Sequence, residues 1–316
     1  MTKRASGWRL SGAVGERHSD RPSTPERAPK NRAFPSAAAP YAWLLAFFLA
    51  PLVVSLAISL THAVDGVPPY SDPLDWRALN LDNYRSILGD NLYALALWNS
   101  VRIAATTSLL SLALGYPMAY AMALEPPRRQ KLLLMAIILP FFTSSLIRTF
   151  AMINLLKETG LINQALASLG LIDPTHPPSL LYTDAAVRIG MVYNYLPFMI
   201  LPLYANLVKI DWSLAEAARD LGAPPWKAFF HIVLPLSWPG ILSGLLLVFI
   251  PACGEYVVPT LLGGQNYVML GTQLANEFFQ NRDWPTASAV AILLLAILVA
   301  PLLLLQALAR RLKAAS

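Results

Sequence analysis

Apolar residues run along this chain in six blocks, at about 39–61, 98–124, 132–153, 182–208, 238–259 and 286–309, with polar connections of unequal length between them. Each block approaches the ~20 residues a helix needs to cross about 30 Å of hydrocarbon. The pattern predicts an all-α, polytopic membrane protein with six transmembrane helices over 39–309. The third and fourth blocks are the least uniform. Pro140 and Arg148 interrupt the third, and Arg188, Asn194, Pro197 and Pro202 the fourth, whose prolines predict a kink. In the first connection, LDNYRSIL predicts a short surface helix capped at Asn80 or Asp82. In the second, LLKETGLINQALASLG predicts an amphipathic helix, followed by the stiff stretch Asp173-Pro174-Thr175-His176-Pro177-Pro178. Trp76, Tyr84, Tyr93, Trp98, Tyr182 and Trp284 fall near the ends of the blocks, where aromatic belts form.

Composition agrees with a bilayer as solvent. Of 316 residues 56% are hydrophobic and 13% charged, against about 25% charged in soluble domains. Cys253 is the single cysteine, which excludes an internal disulfide and a cysteine-rich metal site. Residues 1–38 are polar and rich in Arg, Ser and Pro, and predict a disordered tail ahead of an uncleaved first helix. The net charge of +6 is informative through its distribution. Seventeen Lys and Arg lie in the N-terminal tail, the 125–131 turn, the 209–237 loop and the C-terminal residues 310–316; four lie in the alternate connections. By the positive-inside rule both tails and the 209–237 loop are cytoplasmic. The charge therefore implies contact with anionic membrane lipid and argues against nucleic acid.

The 209–237 loop is too long for a simple connection between two spans. Asp211 or Ser213 is placed to cap a helix from Leu214, with Glu216 in its first turn near the positive end of the dipole. Gly222 allows either a left-handed terminal residue or close backbone approach. Pro225 suits a fresh first turn, so a second short helix is predicted to Val233, presenting Trp226, Phe229, Phe230 and His231. These aromatics either dock on another protein or pack on the chain's own spans.

Glu216-Ala217-Ala218, Gly222 and Pro235, with Ile232 and Leu234 before the proline, resemble the EAA loop of ABC transporter permeases. The resemblance implies the type I ABC importer permease fold. It also implies that the loop docks on an ATP-binding subunit, with Glu216, Ala217 and Ala218 at the contact or bracing it. Gly222 would be the turn, and the stretch from Ala223 through Trp226, Phe229 and Phe230 would enter the partner's cleft. No G-x-x-x-x-G-K-[ST] phosphate loop occurs. The chain is accordingly expected to bind no cofactor and to be no enzyme, ATP and Mg being bound by partner subunits. The segments ILPFFTSSLIRTFAMINLL at 138–156, VYNYLPFMILPLYANL at 192–207 and GEYVVPTLLGG at 254–264 are similar to the spermidine/putrescine permeases. This implies two ATP-binding subunits, a second, non-identical permease and a periplasmic substrate-binding protein at a bacterial inner membrane.

Polar groups inside spans are the candidates for the solute path. Glu255 with Tyr256, and the cluster Tyr193, Asn194 and Tyr195, offer a carboxylate, hydroxyls, an amide and ring faces that suit a cationic amine. Arg102, Arg148 and Arg188 complicate that expectation. Arg188 is placed to pair with Asp184 four residues earlier, and Arg148 to snorkel toward a helix end. Relatives with the same motifs carry other small solutes, among them amino-acid derivatives, phosphonates and iron, which are the alternative substrates. A secondary transporter is disfavoured because no inverted repeat is visible and the loop would be left unexplained.

Overall fold

The computed structural model describes residues 33–75, 79–173, 176–264 and 267–315. Most of the tail expected to be disordered over 1–38 lies outside the described residues, as do Trp76, Arg77, Pro174, Thr175 and Ser316. The helices in chain order are α1 (Ala33–Ser59), α2 (Asp82–Gly89), α3 (Asn91–Leu124), α4 (Pro127–Ile138), α5 (Ser145–Leu156), α6 (Leu161–Ser168) and α7 (Asp184–Leu207). They continue as α8 (Ser213–Asp220), α9 (Pro225–Ala228), α10 (Leu234–Leu236), α11 (Trp238–Cys253), α12 (Val257–Gly263), α13 (Leu270–Ala275) and α14 (Trp284–Ala315). Among the described residues the only β feature is an isolated bridge between Ala63 and Tyr70.

The chain divides into two compact units, Met1–Ala50 and Pro51–Ser316. The described part of the first is the opening of α1, where Trp43 and Phe47, one turn apart, hold their ring centroids 4.3 Å from each other. The second unit contains the sites described below. Its centre is α3, α7 and α11, packed through Ile103, Met191, Met199, Leu203 and Val248, all fully buried. Small residues let these helices approach: a Cβ on Gly244 of α11 would fall 2.6 Å from the Met199 sulfur of α7.

Three helical segments are long and apolar enough to cross a bilayer: Pro40–Ser59, Asn91–Leu124 and Asp184–Leu207. The number rises to five if each of two bent pairs counts as one crossing. Six continuous spans are therefore not what the described residues form. The third predicted block is divided: Pro127–Phe142 and Ser145–Ser168 meet at 91°. Pro140 withholds a backbone donor, a 3₁₀ turn (Leu139–Phe142) follows α4, and the Thr143 hydroxyl bonds the Pro140 carbonyl at 2.6 Å. The fifth block ends at Cys253, and α12 restarts at Val257. α14 runs as one helix from Trp284 to Ala315, across the sixth predicted block. The kink expected at Pro197 and Pro202 is not a break, since α7 is one continuous helix. The single amphipathic helix expected after residue 154 is instead the end of α5 and the separate α6, with Gly160 between them. The expected cap at Asn80 or Asp82 is not formed: α2 begins after Leu81, and Asn80 accepts the Asp82 N–H at 2.9 Å in the turn that precedes it.

Candidate functional site

The 209–237 loop folds as expected in outline. The Asp211 carboxylate accepts the Ser213 N–H at 3.1 Å, and α8 starts there, one residue before Leu214. Hydrogen bonding from the Ser213 hydroxyl and then from its backbone holds the Asp211 carboxyl below the usual carboxylate range. At the other end Gly222 has φ +85°. Its N–H bonds the Arg219 carbonyl at 2.9 Å, and the Ala223 N–H bonds the Ala218 carbonyl at 3.0 Å. That pair of bonds is a Schellman terminus, which requires a left-handed residue at this position. Of the two sequence alternatives for Gly222, the left-handed residue is the one formed: among the described residues beyond its chain neighbours, nothing lies within 4 Å of where its Cβ would be. Pro225 opens α9, which passes into a π-helical turn (Phe229–Val233) closed by the Leu234 N–H on the Phe229 carbonyl.

Glu216, Ala217, Trp226 and Phe230 are exposed, whereas Ala218 and Ala223 are half-buried. Phe229 corrects the sequence expectation of a shared docking face. It turns inward, edge-on to Tyr116 at 5.8 Å and to Tyr120 at 5.5 Å on α3. Phe230, its ring centroid 5.1 Å from that of Phe229, stays on the exposed side. Trp212 also meets Tyr120, at 5.7 Å, and the Tyr116 and Ser237 hydroxyls are 2.9 Å apart. The loop is thereby fastened to one turn of α3. Glu216 and Arg219 line a small cavity of about 120 Å³ floored by Tyr120, Trp212 and Phe229.

A larger cavity, about 350 Å³, opens where two interrupted helices meet α7. The first interruption contributes Phe141 before the break and Ser145, Arg148 and Thr149 after it; the second contributes Pro251, Glu255, Val257 and Val258. Irregular backbone at membrane depth is tolerated where it lines such a space. Glu255 lies in the second break. Its Oε1 accepts the Tyr256 and Val257 N–H groups at 3.2 and 3.0 Å, and its Oε2 accepts the Tyr195 hydroxyl at 2.6 Å. The carboxylate thus starts α12 and ties it to α7. Asn194 is 7% exposed; its Nδ2 donates to the Gly190 carbonyl at 3.0 Å, while its Oδ1 has no hydrogen-bond partner among the described residues.

Of the five path residues expected from sequence, Glu255, Asn194 and Tyr195 line this cavity together. Tyr193 and Tyr256 do not, and each is 44% exposed. For Tyr193 the reason is helical geometry: residues two apart point about 200° away from each other. Sequence reading missed Phe141 and Phe198, whose rings meet at 4.9 Å. Arg148 is half-buried and lines the cavity with them. Its guanidinium carbon stands 5.4 Å from the Phe141 ring centroid, and its Nε is buried without a partner. A Pro in the third block was the only signal that Phe141 and Arg148 would be folded together.

The other two intramembrane arginines converge on one carboxylate. Arg188 reaches Asp184 at 2.7 Å, as expected, and Arg102 of α3 reaches the same oxygen at 2.9 Å. Tyr267 donates its hydroxyl to the other oxygen at 2.6 Å. Burial first, then this bond and the carboxylate charge, push the Tyr267 phenol above its usual pKa.

A helical membrane chain with broken spans around a polar cavity, and a helix–turn–helix loop fixed to its central bundle, defines a transport permease. The family of binding-protein-dependent transport system inner membrane components matches residues 111–314, and the chain belongs to it as a permease subunit of an ABC-type importer. It is 40% identical over 262 residues to the spermidine/putrescine transport system permease protein PotB of Haemophilus influenzae, covering 82% of this chain and 88% of that one. The protein of the same name from Escherichia coli is 39% identical over 252 residues, covering 80% and 88%. Among solved structures, a bacterial ABC transporter involved in the import of the acidic polysaccharide alginate superposes with a TM-score of 0.60 at 17% identity, over 88% of this chain and 95% of that one. At that identity the likeness is one of fold.

Proposed function

We propose that this permease imports polyamines of the putrescine and spermidine type. The cavity beside Glu255 is its solute path, and the 209–237 loop is its coupling surface. The observation that carries the reading is the 40% identity to a spermidine/putrescine permease along 82% of the chain. The cavity's chemistry supports it: a carboxylate, an unpartnered amide oxygen and three aromatic rings suit an alkylammonium. In this reading the chain crosses the inner membrane six times, through α1, α3, the bent pair Pro127–Phe142 and Ser145–Ser168, α7, α11 and α14, with both termini cytoplasmic. A tail over 1–38 precedes the six-helix domain at 39–309, and 310–316 follows it. Two ATP-binding subunits hold ATP and Mg and close against Glu216, Ala217, Ala218, Gly222, Ala223, Trp226 and Phe230, with Phe229 relaying the movement inward. A second, non-identical permease completes the path, and a periplasmic binding protein delivers the solute. Closure of the ATPase pair shifts the spans between two states that differ in their affinity for solute.

The test is uptake by the complex reconstituted with the binding protein encoded beside it. ATP-dependent accumulation of labelled putrescine or spermidine is the expected result. Accumulation of an amino-acid derivative, a phosphonate or iron instead, with polyamines excluded, would overturn the substrate assignment.

A further inference from the structure

The polyamine reading meets an obstacle in its own cavity, because a cation already stands there. Arg148 lies over the Phe141 ring at 5.4 Å and lines the same space as Glu255, Asn194 and Tyr195. It makes no side-chain hydrogen bond or ion pair among the described residues, and its buried Nε has no partner. A guanidinium whose Nε is shut away from water normally recruits a carboxylate, and Glu255 is in the cavity. Yet Glu255 spends three of its four or so acceptor positions on Tyr195, Tyr256 and Val257. What Arg148 has instead is an aromatic face, the surface on which an ammonium group is also well held.

Phe141 and Arg148 lie on opposite sides of the break between the 3₁₀ turn and α5. The pair bridges a joint whose two arms, Pro127–Phe142 and Ser145–Ser168, meet at 91°. Movement of α5 about that joint carries Arg148 off the ring and clears both the aromatic face and the approach to Glu255. With Arg148 in place, a second cation entering the cavity is repelled and finds the ring taken.

We propose that Arg148 is the resident cation of this cavity, a tethered stand-in that seals the site against amines until α5 moves and a substrate ammonium takes its place. The proposal rests on the substrate being an amine, and it adds to that reading the residue that keeps the path closed.

The complete transporter, with both permeases, the ATPase subunits and the binding protein, is reconstituted in proteoliposomes as wild type, Arg148→Gln, Arg148→Lys and Phe141→Leu. Assembly is checked by co-purification and size exclusion. The probe is ATP-independent flux of labelled tetramethylammonium, which needs no binding protein and, having no neutral form, does not cross the bilayer unaided. Wild type and Arg148→Lys are expected to remain tight, because both hold a cation in the cavity. Arg148→Gln is expected to leak on the order of tenfold faster, because the cation–π contact and the charge barrier are removed together. Phe141→Leu is expected to leak as well, its arginine charge intact but unseated. An assembled Arg148→Gln complex as tight as wild type overturns the proposal. So does an Arg148→Lys complex that leaks as fast as Arg148→Gln, since the shape of the fork and not its charge would then matter. Should Arg148→Gln fail to assemble, a tight Phe141→Leu complex overturns the proposal. Putrescine uptake by the wild type is measured in the same vesicles, so a wrong substrate class appears there and not in the leak comparison.

Discussion

Phe229 stands edge-on to Tyr120 with ring centroids 5.5 Å apart and planes at 84°, joining the 209–237 loop to α3. An edge-to-face aromatic pair contributes about 0.5–1.5 kcal/mol beyond its buried area, and Phe229 makes a second with Tyr116. Phe229→Leu keeps most of the volume and loses both ring contacts. The complex is expected to assemble and hydrolyse ATP while importing less solute per ATP, and Phe229→Tyr is expected to keep the wild-type ratio. Parallel measurement of phosphate release and uptake decides it; an unchanged ratio in Phe229→Leu removes the relay role.

Gly222 separates backbone conformation from bulk. An L-residue in the left-handed region costs about 1–2 kcal/mol, and Asn tolerates it best. Because the Cβ position is open, Gly222→Asn should retain coupled transport and Gly222→Val should lose much of it, with faster amide exchange over α8. If both fail equally while α8 stays protected, a partner subunit pressed against the glycine is the better explanation.

Glu255→Gln tests the cavity. The amide oxygen can still accept the Tyr256 and Val257 N–H groups while its NH₂ donates to the Tyr195 hydroxyl oxygen, so the bonds are kept and only their charge assistance is lost. A loss of about 1 kcal/mol in stability is expected, together with reduced uptake per assembled complex. Tyr195→Phe removes only the hydroxyl and serves as the comparison. Should both variants lower stability yet transport normally once assembled, Glu255 is a helix start and not a solute contact.

Asp184→Asn removes the charge on which Arg102, Arg188 and Tyr267 converge. Since the carboxylate side chain is 40% exposed, the expected cost is about 1–2 kcal/mol, below that of breaking a fully buried pair. Tyr267 adds a pH dependence. Its pKa is raised in the folded state, so its contribution is complete below the ordinary phenol range and is lost as pH rises through the raised value. The thermal unfolding midpoint in detergent should therefore fall in strong alkali further for wild type than for Tyr267→Phe. Equal alkaline losses would rule the phenol out.

The parts of this fold that were legible in the sequence are those where a local rule acts alone. α3 follows from the long apolar run at 98–124, and α8 follows from Asp211 ahead of it and Gly222 behind it. The Arg188–Asp184 pair follows from helical spacing. The breaks were harder to read. Pro197 and Pro202 sit in a helix whose neighbours hold it continuous, whereas Pro140, the same residue type, is followed by a 3₁₀ turn and a sharp bend. Position within the bundle decides between these outcomes, and one sequence does not carry it. The cavity was partly legible for the same reason. Asn194 and Tyr195 were identifiable as polar groups in a span, but their neighbour Phe141 comes from a segment folded back at the bend. Tyr193 was grouped with them by adjacency, which a helix does not respect.

α3 runs from Asn91 to Leu124 without interruption. Near one end Tyr93 donates its hydroxyl to Glu277 at 2.9 Å, and near the other Tyr120 receives Phe229. At 1.5 Å per residue these two attachments are about 40 Å apart on a single rod. A tilt of about 5° pivoted at one of them displaces the other by ~3.5 Å, more than the length of a hydrogen bond. A modest push at the loop is thus enough to make or break individual bonds at the far face, with α3 as the lever arm.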